Sequence, residues 1–201
     1  MDTSKPPGLG RRLPVITLLL VGSGVLIAMF PGWSSWLIYD RSAILSGEIW
    51  RMFTGHWVHF STSHLVYDLL ALGIAGWIIE TQGLPHFGWF CLLAPWLISA
   101  VLLLFEPQMK FFGGLSALAT AAIVYLALFG LHDAGPWRWV CLAALAGVAG
   151  KILFEMTTGR MIFVTTGNVP VTVSVASHIT GALVALLFYG QAKILPGTNR
   201  R

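Results

Sequence analysis

Charge is scarce in this sequence. Only 10% of its 201 residues are charged while 56% are hydrophobic, against roughly 25% charged in a typical soluble domain. That shortage excludes a soluble domain of any size and leaves an integral membrane protein. Cysteine is nearly missing: Cys91 and Cys141 each fall inside an apolar run, where a free thiol acts as a small hydrophobe, so neither a disulfide nor a metal site is expected. There is no His-Glu-x-x-His run of the zinc-protease kind. His56, His59, His86 and His132 look interfacial or loop-borne and are not spaced as zinc ligands. No basic stripe lies on a soluble element, so nucleic acid is not an expected partner; the formal charge of +4 comes mostly from the two ends. No ion-ligand ring or pair of broken helices argues for a channel or transporter. No internal repeat or low-complexity tract is present. No small-x-small cleavage site follows the first apolar run, which therefore reads as a retained membrane helix rather than a removed signal.

What is present is a series of apolar runs. A bilayer core of about 30 Å needs roughly 20 residues of helix, and six runs qualify: Pro14–Phe30, Ser63–Ile79, Phe87–Phe105, Gly114–Leu131, Trp137–Phe154 and Val171–Tyr189. The expectation is an all-α membrane protein, a six-transmembrane-helix bundle forming one domain over 1–201. The segment 31–62, with Trp33, Trp36, Tyr39, Trp50 and Trp57, is too broken by polar residues to span and reads as a long interfacial first loop. Lys5, Arg11, Arg12, Arg138, Lys193, Arg200 and Arg201 fall inside if the N-terminus is inside, against Arg41, Arg51, Lys110, Lys151 and Arg160 outside or near the outer boundary, and the clusters at the two termini agree, so the positive-inside rule gives N-in/C-in. Tails 1–12 and 191–201 are then cytoplasmic and loop 31–62 extracytoplasmic.

In that orientation the second, fourth and sixth runs all enter the bilayer from outside. His64 and Asp68 stand at the start of the second, Ser116 at the start of the fourth, and His178 about two turns into the sixth. Ionisable residues inside a membrane are expensive and usually functional. A hydroxyl and an imidazole at matched depth can form a nucleophile and its base. Gly113 and Gly114 before the serine allow close backbone approach and free amides at a helix N-terminus, as an anion pocket needs. Gly181 and Ala185 after His178 form a small-residue strip suited to tight helix packing. His64 and Asp68, at i and i+4, share a helix face. Lys151 and Glu155 are likewise one turn apart at the outer end of the fifth run, and are expected to form a structural pair.

Five motifs fall in order on these runs. They are Trp50-Arg51; His59-Phe60-Ser61-Thr62-Ser63-His64 followed by Asp68; Glu80; Gly114-Leu115-Ser116-Ala117; and Ser177-His178-Ile179-Thr180-Gly181. Together they resemble the rhomboid family of intramembrane serine proteases. The resemblance implies catalytic Ser116 and His178, an oxyanion site of His64, Asp68 and the Ser116 amide, and supporting roles for Trp50, Arg51, Glu80, Gly113, Gly114 and Gly181. It implies no cofactor and no metal. The expected partners are the lipid bilayer and a membrane-anchored protein substrate, at a bacterial inner membrane with the site open to the periplasm. The bare six-helix form and the Gly-His-Trp-Val-His run look like the rhombosortase branch, associated with trimming C-terminal Gly-Gly-type anchor tails.

Three residues depart from the family pattern. Ala117 stands for a glycine. Thr120 stands for a larger ring residue one turn after the serine, and its hydroxyl is expected to hydrogen-bond His178 in place of that stacking partner. Asp68 stands for an asparagine, whose amide can donate to an oxyanion where an ionised carboxylate only accepts; it would serve if protonated or by orienting His64. No carboxylate is expected to complete a triad with His178, leaving a Ser–His dyad. The polar run Thr165-Thr166-Gly167-Asn168 is expected to act as a lid. The rival reading is an inactive rhomboid-like protein that binds membrane clients without cutting them, favoured by the three departures and opposed by the retention of Ser116 and His178.

Overall fold

The computed structural model describes residues 13–160 and 174–194. The terminal basic clusters, apart from Lys193, and the expected lid at 165–168 lie outside those residues. The described chain is mostly helical. α1 (Val15–Met29) is followed by a single 3-10 turn, Pro31–Trp33, and the short α2 (Ser34–Leu37). A two-residue strand β1 (Tyr39–Asp40), α3 (Arg41–Leu45), α4 (Arg51–Thr54) and a second 3-10 turn, Gly55–Trp57, complete the first loop. Five long elements then follow: α5 (Thr62–Thr81), α6 (Phe87–Phe105), α7 (Ser116–Gly130), α8 (Pro136–Thr158) and α9 (Val175–Ile194), with β2 (Phe111–Phe112) ahead of α7.

Helices occupy the apolar runs among the described residues, with a distinction that hydropathy alone did not draw. Among the described residues α5, α6, α8 and α9 are long and apolar enough to cross a membrane. α1 reaches that standard only together with Pro31–Leu37, from which it is bent by 98°. α7 has 15 residues, about 22 Å of helix, and starts at Ser116 rather than at Gly114. Gly114 has φ +111°, in the left-handed region that a right-handed helix cannot use.

α7 is the axis of the molecule. Ala117, Ala119, Ala121, Ala122 and Ala127 are all buried, and their small side chains let α5, α6, α8 and α9 approach from every side. In lipid this close van der Waals packing, rather than hydrophobic exclusion, holds helices together. The neighbouring helices turn leucines and isoleucines outward, as at Leu70, Ile74, Leu92, Leu183 and Leu187.

Glu80, near the end of α5, secures the start of α1. Its carboxylate accepts from the Ile16 amide at 3.0 Å and from the Thr17 amide and hydroxyl at 2.6 Å each. A carboxylate on the exposed amides of a helix N-terminus typically contributes about 0.3–2 kcal/mol. The first loop is tied together by the Trp-Arg pair. Arg51 donates to Glu48 at 2.7 Å and to the carbonyls of Ser35 and Ile38 at 2.8 and 3.0 Å, while Trp50 donates to the Trp36 carbonyl at 3.3 Å. β1 pairs antiparallel with β2, Tyr39 opposite Phe112, which anchors this loop beside Gly113 and Gly114.

Two expectations about histidines are corrected here. His56 is fully buried, with Nε2 3.1 Å from both the Pro95 carbonyl and the Ser99 hydroxyl of α6. The side chain of His59 is 3% exposed. The first loop folds back over the helix ends, so residues that look loop-borne along the chain become interior.

Candidate active site

A cavity of about 430 Å³ is lined by residues from the starts of α5, α7 and α9 and the end of α8, among them His64, Asp68, Ser116, Lys151, Glu155 and His178. Ser116 is the first residue of α7. The first four amides of a helix have no intrahelical partner, so the backbone around Ser116 presents free N–H groups beside its own hydroxyl. Its Oγ lies 2.9 Å from His178 Nε2. Ser174 sets where α9 begins: its hydroxyl accepts from the Ser177 amide at 3.2 Å, and the Ser177 hydroxyl donates to the Ser174 carbonyl at 2.6 Å. His178 then falls on the first turn and faces α7.

The other edge of the imidazole corrects the expectation of a dyad without a carboxylate. Glu155 Oε2 stands 2.8 Å from His178 Nδ1, with both side chains at most 5% exposed. The contact is an ion-pair approach lying off the line of an ideal N–H bond. Glu155 Oε1 accepts from Lys151 Nζ at 2.7 Å, so the expected Lys151–Glu155 pair forms but is not closed on itself. Lys151 Nζ is also 3.2 Å from both ring nitrogens of His178, a position alongside the ring. Thr120 is buried and lines the same cavity. The expected Thr120–His178 hydrogen bond does not form among the described residues, and the ring's neighbour is instead the Lys151 ammonium.

On the α5 side, Ser61 caps the helix by accepting from the His64 amide at 3.2 Å. Asp68 Oδ2 lies 3.2 Å from His64 Nε2 and 3.2 Å from His59 Nε2. His59 Nδ1 is 3.1 Å from the Trp57 carbonyl. A carbonyl only accepts, so Nδ1 carries a proton there. The Leu115 amide approaches His59 Nε2 at 3.4 Å, linking this cluster to the residue before the serine. Asp68 therefore stands between two imidazoles rather than pointing alone into the cavity. Gly114 completes the contact: a Cβ at that position would sit 2.5 Å from His64 Nε2 and 3.1 Å from Asp68 Oδ2.

The structure thus brings Ser116, His178, His64, Asp68, Gly113 and Gly114 to one place. Gly181 packs one turn below His178, whereas Trp50, Arg51 and Glu80 stand apart and brace the first loop and α1. Sequence reasoning missed Glu155 as a neighbour of His178, and His59 as a neighbour of Asp68. The available signal for Glu155 was a carboxylate at the very edge of an apolar run, where an ionisable group is costly unless it has an inward partner.

Comparison with known proteins gives an independent finding. A family described as "Rhomboid domain" matches residues 46–191. "Rhomboid protease GlpG" of Salmonella newport (strain SL254) is 34% identical to this chain over 102 residues, which is 49% of this chain and 35% of that protein. The proteins of the same name from Salmonella heidelberg (strain SL476) and Salmonella typhi match to the same extent. The match takes in little more than a third of those relatives' length.

Proposed function

Because this chain belongs to the rhomboid family, we propose that it is an intramembrane serine endopeptidase with Ser116 as nucleophile and His178 as general base. The observation that carries this reading is the 2.9 Å approach of Ser116 Oγ to His178 Nε2 at a cavity, within hydrogen-bond reach as a nucleophile and its base require. The hydroxyl proton passes to Nε2 as Oγ attacks the scissile carbonyl. The oxyanion is taken by the Ser116 amide at the α7 N-terminus, assisted by His64, which Asp68 holds in place. Each such donor typically contributes about 3–4 kcal/mol to the transition state. His178 then protonates the leaving amine and activates the water that frees the enzyme.

The substrate is a membrane-anchored protein. In the proposed topology six helices enter the bilayer, with both termini in the cytoplasm. α7, at about 22 Å, falls short of a hydrocarbon core of about 30 Å, so Ser116 at its start lies in a recess rather than at the surface. Cleavage falls near the extracytoplasmic boundary, in a bacterial inner membrane the periplasmic side. Small residues at the cut fit best, and the Gly55-His56-Trp57-Val58-His59 run supports a role in trimming Gly-Gly-type C-terminal anchors.

The test is labelling of the lipid-reconstituted chain with a fluorophosphonate probe. The wild type labels, and Ser116→Ala and His178→Ala do not. Equal labelling of all three removes the dyad and leaves the client-binding reading.

A further inference from the structure

Only two residues of α8 are buried, Cys141 and Glu155. A helix otherwise turned outward therefore presents a carboxylate, 1% exposed, to the imidazole that serves as general base in the proposed chemistry. The arrangement has two ends. Ser116 Oγ meets Nε2 of His178 at 2.9 Å and Glu155 Oε2 meets Nδ1 at 2.8 Å. The second carboxylate oxygen is held by Lys151 at 2.7 Å, which fixes the rotation of the Glu155 side chain.

We propose, on the basis of the proteolytic reading above, that Glu155 is a positioning residue that extends the dyad to a Ser116–His178–Glu155 relay delivered by α8. As the Oγ–carbon bond forms, the serine proton moves to Nε2 and the ring becomes an imidazolium. Its Nδ1–H then faces an ionised carboxylate, which offsets the new charge and keeps Nε2 aimed at Ser116. Glu155 takes no proton. The proton on Nε2 leaves with the amine as the carbon–nitrogen bond breaks. A carboxylate facing Nδ1 favours the tautomer that leaves Nε2 free to accept. The family's ring residue one turn after the serine is Thr120 here, so the imidazole is steadied from the α8 side by Glu155 at its edge; the Lys151 ammonium alongside the ring opposes the imidazolium charge, and the same carboxylate offsets it. The relay is complete only while α8 lies against α9. Displacing α8 opens the cavity wall and withdraws the carboxylate together.

The experiment compares wild type, Glu155→Gln, Glu155→Asp and Ser116→Ala as full chains in lipid. It measures the maximal rate of fluorophosphonate labelling, the probe concentration giving half that rate, and the folded fraction from thermal unfolding. Glu155→Gln keeps the shape of the side chain but removes its charge and leaves one accepting oxygen where the carboxylate has two. Its maximal rate per folded molecule is expected to fall by about 10²-fold or more, with the half-saturating concentration nearly unchanged. Glu155→Asp is expected to recover part of the rate by restoring the charge. Wild-type labelling by Glu155→Gln, per folded molecule, while Ser116→Ala stays silent overturns the relay and leaves the dyad standing. A loss in Glu155→Gln that Glu155→Asp does not relieve, with a raised half-saturating concentration, indicates packing alone and also overturns it. Absence of labelling in the wild type overturns the proteolytic reading and this inference with it.

Discussion

Gly181 of α9 lies directly against the carbonyl oxygen of Ala117 on α7, so close that a Cβ at position 181 would overlap that oxygen. Ala117 follows Ser116, and Gly181 is one turn from His178. The separation of the two helices at this point therefore sets whether Oγ and Nε2 can meet at 2.9 Å. The opposing atom is backbone, which cannot rotate away as a side chain can.

Gly181→Val is accordingly expected to push α9 from α7, lowering stability by about 1–3 kcal/mol, the usual range for overpacking. A misplacement of about 1 Å at a reacting pair costs on the order of 10²-fold in rate. Labelling with the fluorophosphonate probe should therefore fall by more than the loss of folded protein explains. Thermal unfolding and labelling on the same sample check this.

Gly114→Ala places a methyl group at φ +111° and 2.5 Å from the His64 ring. Backbone strain of this kind typically costs about 1–3 kcal/mol. The displaced His64 should also slow labelling even where the variant remains folded. Wild-type labelling in Gly114→Ala would detach His64 from the oxyanion site.

Asp68 is expected to act through the imidazoles it holds rather than through its own charge on the oxyanion. Asp68→Asn keeps an oxygen able to accept from His64 and should label within about tenfold of wild type, whereas Asp68→Leu should lose about 10²-fold, the scale of one oxyanion donor. Comparison of the two labelling rates decides the point; equal rates would remove the positioning role.

Burial holds His56 down to about 4 from an ordinary 6.5. Between those values the unfolded chain binds the proton and the folded chain does not, so stability falls as pH falls through that window. The loss reaches about 3 kcal/mol at most. The unfolding temperature should drop from about pH 7 to about pH 5, and His56→Gln should flatten that slope. An unchanged slope would mean that His56 takes its proton without unfolding.

Much of the molecule was legible along the chain because the informative patterns are local. The run Phe87–Phe105 became α6 at the same bounds, since continuous apolar character and helical length are read residue by residue. The position of Ser116 near the start of its helix followed from a short motif, whereas His178, expected about two turns into its run, stands on the first turn of α9. α8 reaches Thr158 rather than Phe154 and ends at Gly159, φ +63°, a left-handed cap that a hydropathy count does not register. That extra turn puts Glu155 inside the helix.

His59 and Glu155 differ from expectation for a common reason. Their sequence neighbours alone make them a loop histidine and half of a Lys–Glu pair. Each is buried instead by residues far along the chain: His59 by Asp68 and Leu115, Glu155 by His178. A histidine or carboxylate makes contacts on more than one side, and only one of those sides can be filled by its own helical turn.

The sequence by itself determined that this chain belongs in a membrane, that it forms helices at these places, and that a serine and a histidine stand near the starts of two of them. Tertiary structure alone decided that the two touch, that Asp68 is shared by two imidazoles, and that α8 brings a carboxylate to the third position. Helix formation depends on neighbours within about four residues. Contact between helices depends on their rotation and spacing, set here by where a missing Cβ, at Gly114 and Gly181, lets one backbone come close to another element.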